Sequence, residues 1–512
     1  MLLRPLVILL LGGCLLASAQ SVPSPAATRL LSLQECLDLA LGRNFDIKVS
    51  QLSADVARYQ LNGSYGAYDP TFSFSARHDF VSQPPDFDPK KTGVDSPYEL
   101  DGDTIGPELK GNLPFGLSYD LLASGGFHRA STDLSAVSPK TYPNGIRITN
   151  NFDSAAALQL KQNLLKDFWI DQASENLRLR RADLKISEQT LKFQIMRSVL
   201  AVELAYYDLQ AARDRIRVSE LAVQLKQQLV SETKRRVEVG DLPPLDAEQA
   251  ETQLQNALTA LTAARENYFT QQNSLKGMIT DNFREWVGFE LIPADNLAAV
   301  KQDVNRAESF EHALRNRPDL IEARLNVDKR DIAVKFGLNQ LFPSLDLIGE
   351  YGGLGVQPDF RSAASDVINF RHPVYYYGVV FSVPLGSVAE RNNYKASKTQ
   401  REIAKLQLKQ AEEGVLLQIA EYVNRVESRY SQVQSTRQAR RFAETALAAE
   451  QKKLENGLTT AFTVLQYQEI LTTAQTAEVA ALADYNKSIA QLSFADGSTL
   501  EKHHLKVQPN RH

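Results

Sequence analysis

The chain has 512 residues, 43 % of them hydrophobic and 23 % charged, with a formal net charge of −4. That is the composition of a folded protein, and the absence of a basic block argues against a nucleic-acid binder. Two cysteines, Cys14 and Cys36, exclude a disulfide framework or a cysteine-rich zinc module, and after residue 20 no apolar run approaches the ~18 residues of a membrane helix.

Taken in chain order, Met1 to Arg4 is short and basic, Leu6 to Leu16 is almost wholly apolar, and Ala17-Ser18-Ala19 is a small-residue cleavage site. Residues 1–19 therefore read as a secretory signal peptide. A rival reading takes Leu11-Gly12-Gly13-Cys14 as a lipidation box, but the apolar run continues through Leu16 and leaves a very short core before Cys14. Gln34 to Asn62 is helical in pattern. A strand is expected at about 71–81, where Phe72, Phe74, Ala76, His78 and Phe80 alternate with Ser73, Ser75, Arg77 and Asp79.

The segment 82–153, rich in Pro, Gly, Asp and Ser, reads as a long, largely extracellular loop, in which Leu113 to Phe127 could close an extra hairpin. A second strand is expected at about 154–165, with Ala156, Leu158 and Leu160 opposed by Gln159 and Lys161. From about Asn176 to Val239 runs a long helix, ~95 Å at 1.5 Å per residue. Ile195, Val202, Leu209, Ile216, Val223, Val230 and Val237 recur along it every seven residues, the stripe of a coiled coil. Gly240 suits a C-cap with positive φ, and Pro243-Pro244 reinforce the break before a shorter helix.

The same plan then recurs. Residues 40–80 realign with 313–353 at a shift of 273, and Gly240, Tyr268 and Leu275 fall on Gly457, Tyr485 and Leu492 at a shift of 217. The chain thus divides into a first repeat at 20–298, a second at 299–497 and a tail at 498–512. The second repeat carries strands at about 344–354 and 374–384, separated by a shorter loop. Its long helix repeats the stripe as Ile419, Val426, Val433, Leu447 and Leu454, with Arg440 as the exception.

Strands apolar on one side and polar on the other suit a bilayer, and Tyr375, Tyr376 and Tyr377 suit an interfacial girdle. Four strands cannot close a barrel, and open edges are not tolerated in lipid, so several chains must share one. Two chains of four strands would make eight and a filled interior; three would make twelve and room for a lumen.

These residues resemble the TolC-like outer membrane efflux proteins from Leu33 to about Gly497. The likeness rests on the duplicated opening (Cys36 to Pro70, Phe310 to Pro343) and on the strand exit Gln162-Asn163-Leu164-Leu165-Lys166-Asp167-Phe168. It rests also on the helix tips Val239-Gly240-Asp241-Leu242 and Asn456-Gly457-Leu458-Thr459. The resemblance implies a mainly α fold with β: a long coiled-coil tunnel in the periplasm, and four transmembrane strands per chain in a twelve-stranded barrel shared by a homotrimer in outer membrane lipid. It implies a passive exit duct of a tripartite efflux pump or type I secretion system, joined by a periplasmic adaptor to an inner-membrane transporter.

The resemblance assigns adaptor docking to Val239, Gly240, Asn456, Gly457 and Leu458, for which an ordinary helix cap is the plainer explanation. Relatives often narrow the tunnel with acids just after these turns. Asp246 occupies that place, with Asp241 and Glu248 beside it, while Thr463 and Gln466 stand where the second repeat can carry aspartates. An acid early in a helix is also what the helix dipole favours. Enzymatic readings fare poorly: His503-His504 lack companion ligands, and there is no P-loop or dinucleotide glycine pattern, so no cofactor or metal is expected. The runner-up is a periplasmic coiled-coil adaptor or structural rod, which leaves the alternating strands without a purpose.

Overall fold

The computed structural model describes residues 27–83, 98–133, 146–240 and 242–505. The expected signal peptide, Cys14 and Asp241 lie outside the described residues. The first half of the chain forms β1 (Ala27–Leu31), α1 (Leu33–Arg43), α2 (Phe45–Ser64), β2 (Thr71–Gln83), β3 (Tyr98–Leu113), β4 (Leu117–Asp133) and β5 (Ile146–Asn163). Two long helices follow, α3 (Gln172–Glu238) and α4 (Pro244–Ile279), then α5 (Phe283–Trp286) and β6 (Phe289–Pro293). The second half forms α6 (Arg306–Asn316), α7 (Pro318–Asn339), β7 (Ser344–Gln357), α8 (Phe360–Ile368), β8 (Pro373–Ser382), α9 (Val388–Glu455), α10 (Ala461–Ala495) and α11 (Thr499–Lys502).

The duplication reappears in the elements: α3 and α9 have 67 and 68 residues, and α4 and α10 have 36 and 35. Matched residues also do matched work. The Tyr268 hydroxyl donates to the Leu291 carbonyl at 2.7 Å, and the Tyr485 hydroxyl to that of Val300 at 2.6 Å. The helix expected across 34–62 is broken at Asn44, whose extended backbone caps α1, and the second copy breaks at Arg317 before Pro318. Pro318 lacks an amide hydrogen and pushes its predecessor out of the helical region. At each break a side chain reaches the end of the shorter helix of its own copy. Asn44 Nδ2 donates to Met278 O (3.1 Å), and Arg317 Nη1 donates to Ala495 O (3.0 Å).

The chain folds as two units, each drawing on both halves. The helical unit takes the described residues of Met1–Phe45, Arg197–Val304 and Tyr422–Phe494; the strand unit takes those of Asp46–Met196, Asn305–Glu421 and Ala495–His512. In the helical unit, α3, α4, α9 and α10 bury Leu229, Val230, Ala250, Leu447, Leu454, Ala461, Val464 and Leu465 in one core. The heptad stripe supplies Val230, Leu447 and Leu454 to it, as knobs-into-holes packing requires. Arg440, the exception in the stripe, is paired there with Glu478 and, at 2.6 Å, with Glu444.

The parallel pair β1–β6 is too small to stand alone. Side chains of α3 and α4 take up carbonyls in and beside it: Arg213 that of Pro293, Gln210 that of Asp295, Gln272 that of Leu291, and Lys276 that of Phe289 at 2.7 Å. The Tyr206 hydroxyl lies 3.1 Å from the Leu31 carbonyl and 2.8 Å from Asp295 Oδ2.

The strand unit holds one antiparallel sheet in the order β2-β3-β4-β5-β7-β8. All four expected strands are present, as β2, β5, β7 and β8. The sheet is nonetheless six strands wide, not four, because the segment taken as a long loop contributes the hairpin β3–β4 between β2 and β5. Strand propensity there is low, with Gly102, Gly106, Pro107 and Gly111 in β3, but pairing on both sides overrides it.

Candidate functional site

Register decides which residues share a face of the sheet. One row crosses it as Phe72, Leu109, Leu121, Leu158, Tyr351 and Tyr375, and the row beside it as Gly111, Tyr119, Leu160, Gly349 and Tyr377. Large apolar side chains on this face stand open, with Phe72 67 % and Tyr377 84 % exposed. The opposite face is polar. Its rows carry Thr71, Lys110, Asp120, Gln159, Glu350 and Tyr376, tied by bonds such as Ser73 Oγ to Glu108 at 2.8 Å and Gln159 Nε2 to Glu350 at 2.7 Å. Lys161 pairs with Asp346 at 3.0 Å on the same side. A sheet apolar on one face and polar on the other is the pattern of a barrel wall between lipid and water.

At one end of the sheet the chain enters β2 from α2 and β7 from α7, and leaves β5 and β8 for α3 and α9. The β3–β4 turn lies at that end too. Gly116, at φ +80°, accepts from the Asn163 amide at 3.0 Å, and Gln162 Nε2 donates to Phe115 O at 2.9 Å. The strand exit that carries the family likeness is held by α7: Asn339 Oδ1 accepts from the Asp167 amide, and Gln340 Nε2 donates to Asp167 Oδ1. At the other end, α8 lies on the apolar face across β7, β5 and β4. Ala363 is fully buried there, and Phe360 meets Phe152 edge-on at 6.4 Å. Glycines make room for it: a Cβ on Gly355 would stand 2.1 Å from Ala363 O, and one on Gly125 2.8 Å from Phe360.

The helix turns belong to the helical unit. After α9, Gly457 (φ +72°) donates its amide to Leu454 O and Leu458 donates to Lys453 O, the paired bonds of a Schellman cap. After α3, Gly240 (φ +83°) donates likewise to Val237 O. Among the described residues, chain neighbours aside, no atom lies within 4 Å of a Cβ on either glycine, so each is required by backbone conformation and not by crowding. Val239 and Leu458 are open, as are Leu245 and Phe462 where the next helices begin. Thr463 is accounted for locally: its amide and hydroxyl both meet the Thr460 hydroxyl, which caps α10.

Of the acids expected at the constriction, Asp246 and Glu248 are described, and they lie on different sides of α4. Leu245, Glu248, Gln249, Thr252 and Gln253 form one face of α4, and with Phe462, Leu465, Gln466 and Glu469 of α10 they line a groove of about 460 Å³. Glu248 is on that face. Asp246, two residues away, points to the other side of the helix, as 100° per residue dictates. Glu469 also reaches back to the buried Lys226 at 3.2 Å, a contact that sequence reasoning missed because nothing local marks it. Among the described residues no cluster of His, Cys, Asp and Glu could hold a metal. Burial pushes the Cys36 thiol up to about 12, which leaves it protonated and inert.

The model of the outer membrane efflux protein family matches residues 120–280 and 310–498, one stretch in each repeat and together more than half of the chain. The outer membrane protein TolC of Vibrio cholerae is 23 % identical over 411 residues, covering 78 % of this chain and 91 % of that protein. TolC of Escherichia coli is 24 % identical over 374 residues, covering 69 % and 71 %. In fold, the Campylobacter jejuni CmeC outer membrane channel superposes with a TM-score of 0.64 at 15 % identity, over 91 % of this chain and 86 % of that one. The polarity of the sheet, the capped helix pairs and the duplicated plan thus coincide with the family match: the chain belongs to the outer membrane efflux protein family, with its strands in the outer membrane and its helical tunnel in the periplasm.

Proposed function

We propose that this efflux duct works as a homotrimer, forming the passive exit of a tripartite pump or type I secretion system. Its helix turns dock a periplasmic adaptor, and through the adaptor it meets an inner-membrane transporter. The observation that carries this reading is the open sheet. Among the described residues, β2 and β8 are the unpaired edges of a sheet with an apolar face. In hydrocarbon each unpaired backbone group costs several kcal/mol. Because β2 and β8 run in opposite directions, β8 of one copy can pair antiparallel with β2 of the next. That is a heterologous contact able to close as a ring. A periplasmic rod would leave the apolar face unexplained.

Exposed apolar side chains on rigid caps, Val239, Leu245, Leu458 and Phe462, support docking at the turns. The constriction reading shifts toward Glu248, which shares its groove with Gln466 at the place where relatives can carry an acid. A threefold ring of such carboxylates would favour cations near the axis. The test is the mass of the protein purified from outer membranes in mild detergent, by light scattering corrected for bound detergent. A stable trimer is expected, and a monomer or dimer soluble without detergent would overturn the proposal.

A further inference from the structure

Building on the trimeric reading, we infer that each chain contributes six strands to the membrane wall, so that three chains close a barrel of eighteen strands. Three independent observations place the β3–β4 hairpin in the wall.

The first is register. β3 pairs with β2 from Tyr98↔Gln83 to Lys110↔Thr71, and β4 pairs with β5 from Asp133↔Ile146 to Leu117↔Gln162. The hairpin therefore runs the full height of the sheet, and its turn is bonded to the strand exit at Gln162 and Asn163. The second is phase. Leu109, Ile105, Leu121 and Tyr119 fall on the apolar face, and Glu108, Lys110, Asp120 and Ser118 on the polar one, in step with the flanking strands. The apolar band from Leu113 to Ile105 rises ~21 Å at a tilt of ~40°, close to the ~25 Å lipid-facing band of outer-membrane barrels. The third is packing across the insertion: Phe127 of β4 meets Phe152 of β5 at 5.1 Å, and α8 rests on β4 as well as on β5 and β7.

Two added strands keep the strand number even, so the joint between chains remains antiparallel. A single added strand would have made it parallel. At a strand spacing of ~4.8 Å and a tilt of ~40°, eighteen strands give a backbone diameter of ~36 Å where twelve give ~24 Å. The cross-section then rises about twofold, into the range of barrels that hold a wide aqueous lumen. The barrel of this duct therefore leaves room for bulkier cargo than a twelve-stranded wall of the same tilt.

The test is single-particle imaging of the full chain in lipid nanodiscs, with strands counted in cross-section. Eighteen strands around a threefold axis are expected. A threefold particle with twelve strands would overturn this inference and leave the trimer intact; a particle without threefold symmetry would overturn both. In a second measurement, a fluorophore on L121C is quenched several-fold more strongly by lipids carrying a quencher in the acyl chain than one on D120C. Equal quenching at the two sites would also exclude the hairpin from the wall.

Discussion

Replacing Gly355 with alanine tests the seating of α8 on the sheet. The added Cβ would stand 2.1 Å from Ala363 O, 2.9 Å from Ala363 C and 3.1 Å from Ser154 Oγ. Carbon needs ~3.5 Å, and the two nearest atoms are backbone, so no rotamer change relieves the clash. α8 must retreat by about 1 Å, loosening the buried Ala363, Asp366 and Val367 and the Phe370–Tyr351 contact. Overpacking of this kind costs about 1–3 kcal/mol, and burial of one valine is worth about 1.5–3 kcal/mol. A loss near 2 kcal/mol raises the undocked population about thirtyfold.

The assay is the rate at which a maleimide labels V367C, a position 9 % exposed in the docked state. In the Gly355→Ala background labelling should accelerate about thirtyfold, by the same estimate. Gly349→Ala is the control: it lies on the same strand and face, but its Cβ meets only Tyr376 O, at 3.7 Å. Equal acceleration in both backgrounds, or none in either, would refute the reasoning.

Three further outcomes follow from named contacts. Gly457→Val places a β-branched residue at φ +72° in open space, a local strain of about 1–2 kcal/mol that leaves assembly intact and impairs export; unimpaired export would remove the docking assignment. Arg317→Lys loses the planar fork that spreads donors over Asp319, Gln418 and Ala495 O, so the protein should unfold at a lower temperature, at a cost of about 1–3 kcal/mol. An unchanged unfolding temperature would contradict that bonding. In planar bilayers Glu248→Gln should weaken cation preference while Asp246→Asn leaves it unchanged, because only Glu248 faces the groove with Gln466; the reversed pattern would move the constriction to Asp246.

Much of this molecule is legible along one dimension. The alternation from Phe72 to Phe80, the heptad stripe and the two matched glycines are local periodic signals, and the structure realises each as a strand, a buried helix seam and a left-handed cap. The duplication needs only self-comparison, and it extends to the hydroxyls of Tyr268 and Tyr485. Other features have no local signature. Asp101 and Asp103 stand on the apolar face near the far end of the sheet, and Gly102, Gly106 and Pro107 depress strand propensity, so β3 reads as loop until its neighbours pair with it.

Self-comparison thus determined the repeat, and local period the membrane-facing strands and the capped turns, because these depend on residues a few positions apart. Tertiary structure alone decided the six-strand width of the sheet, the glycine bed beneath α8 and the contact of Glu469 with the buried Lys226. These depend on pairing or packing between segments that are distant in sequence. Backbone groups of β3 that look unsatisfied along the chain are completed by β2 and β4.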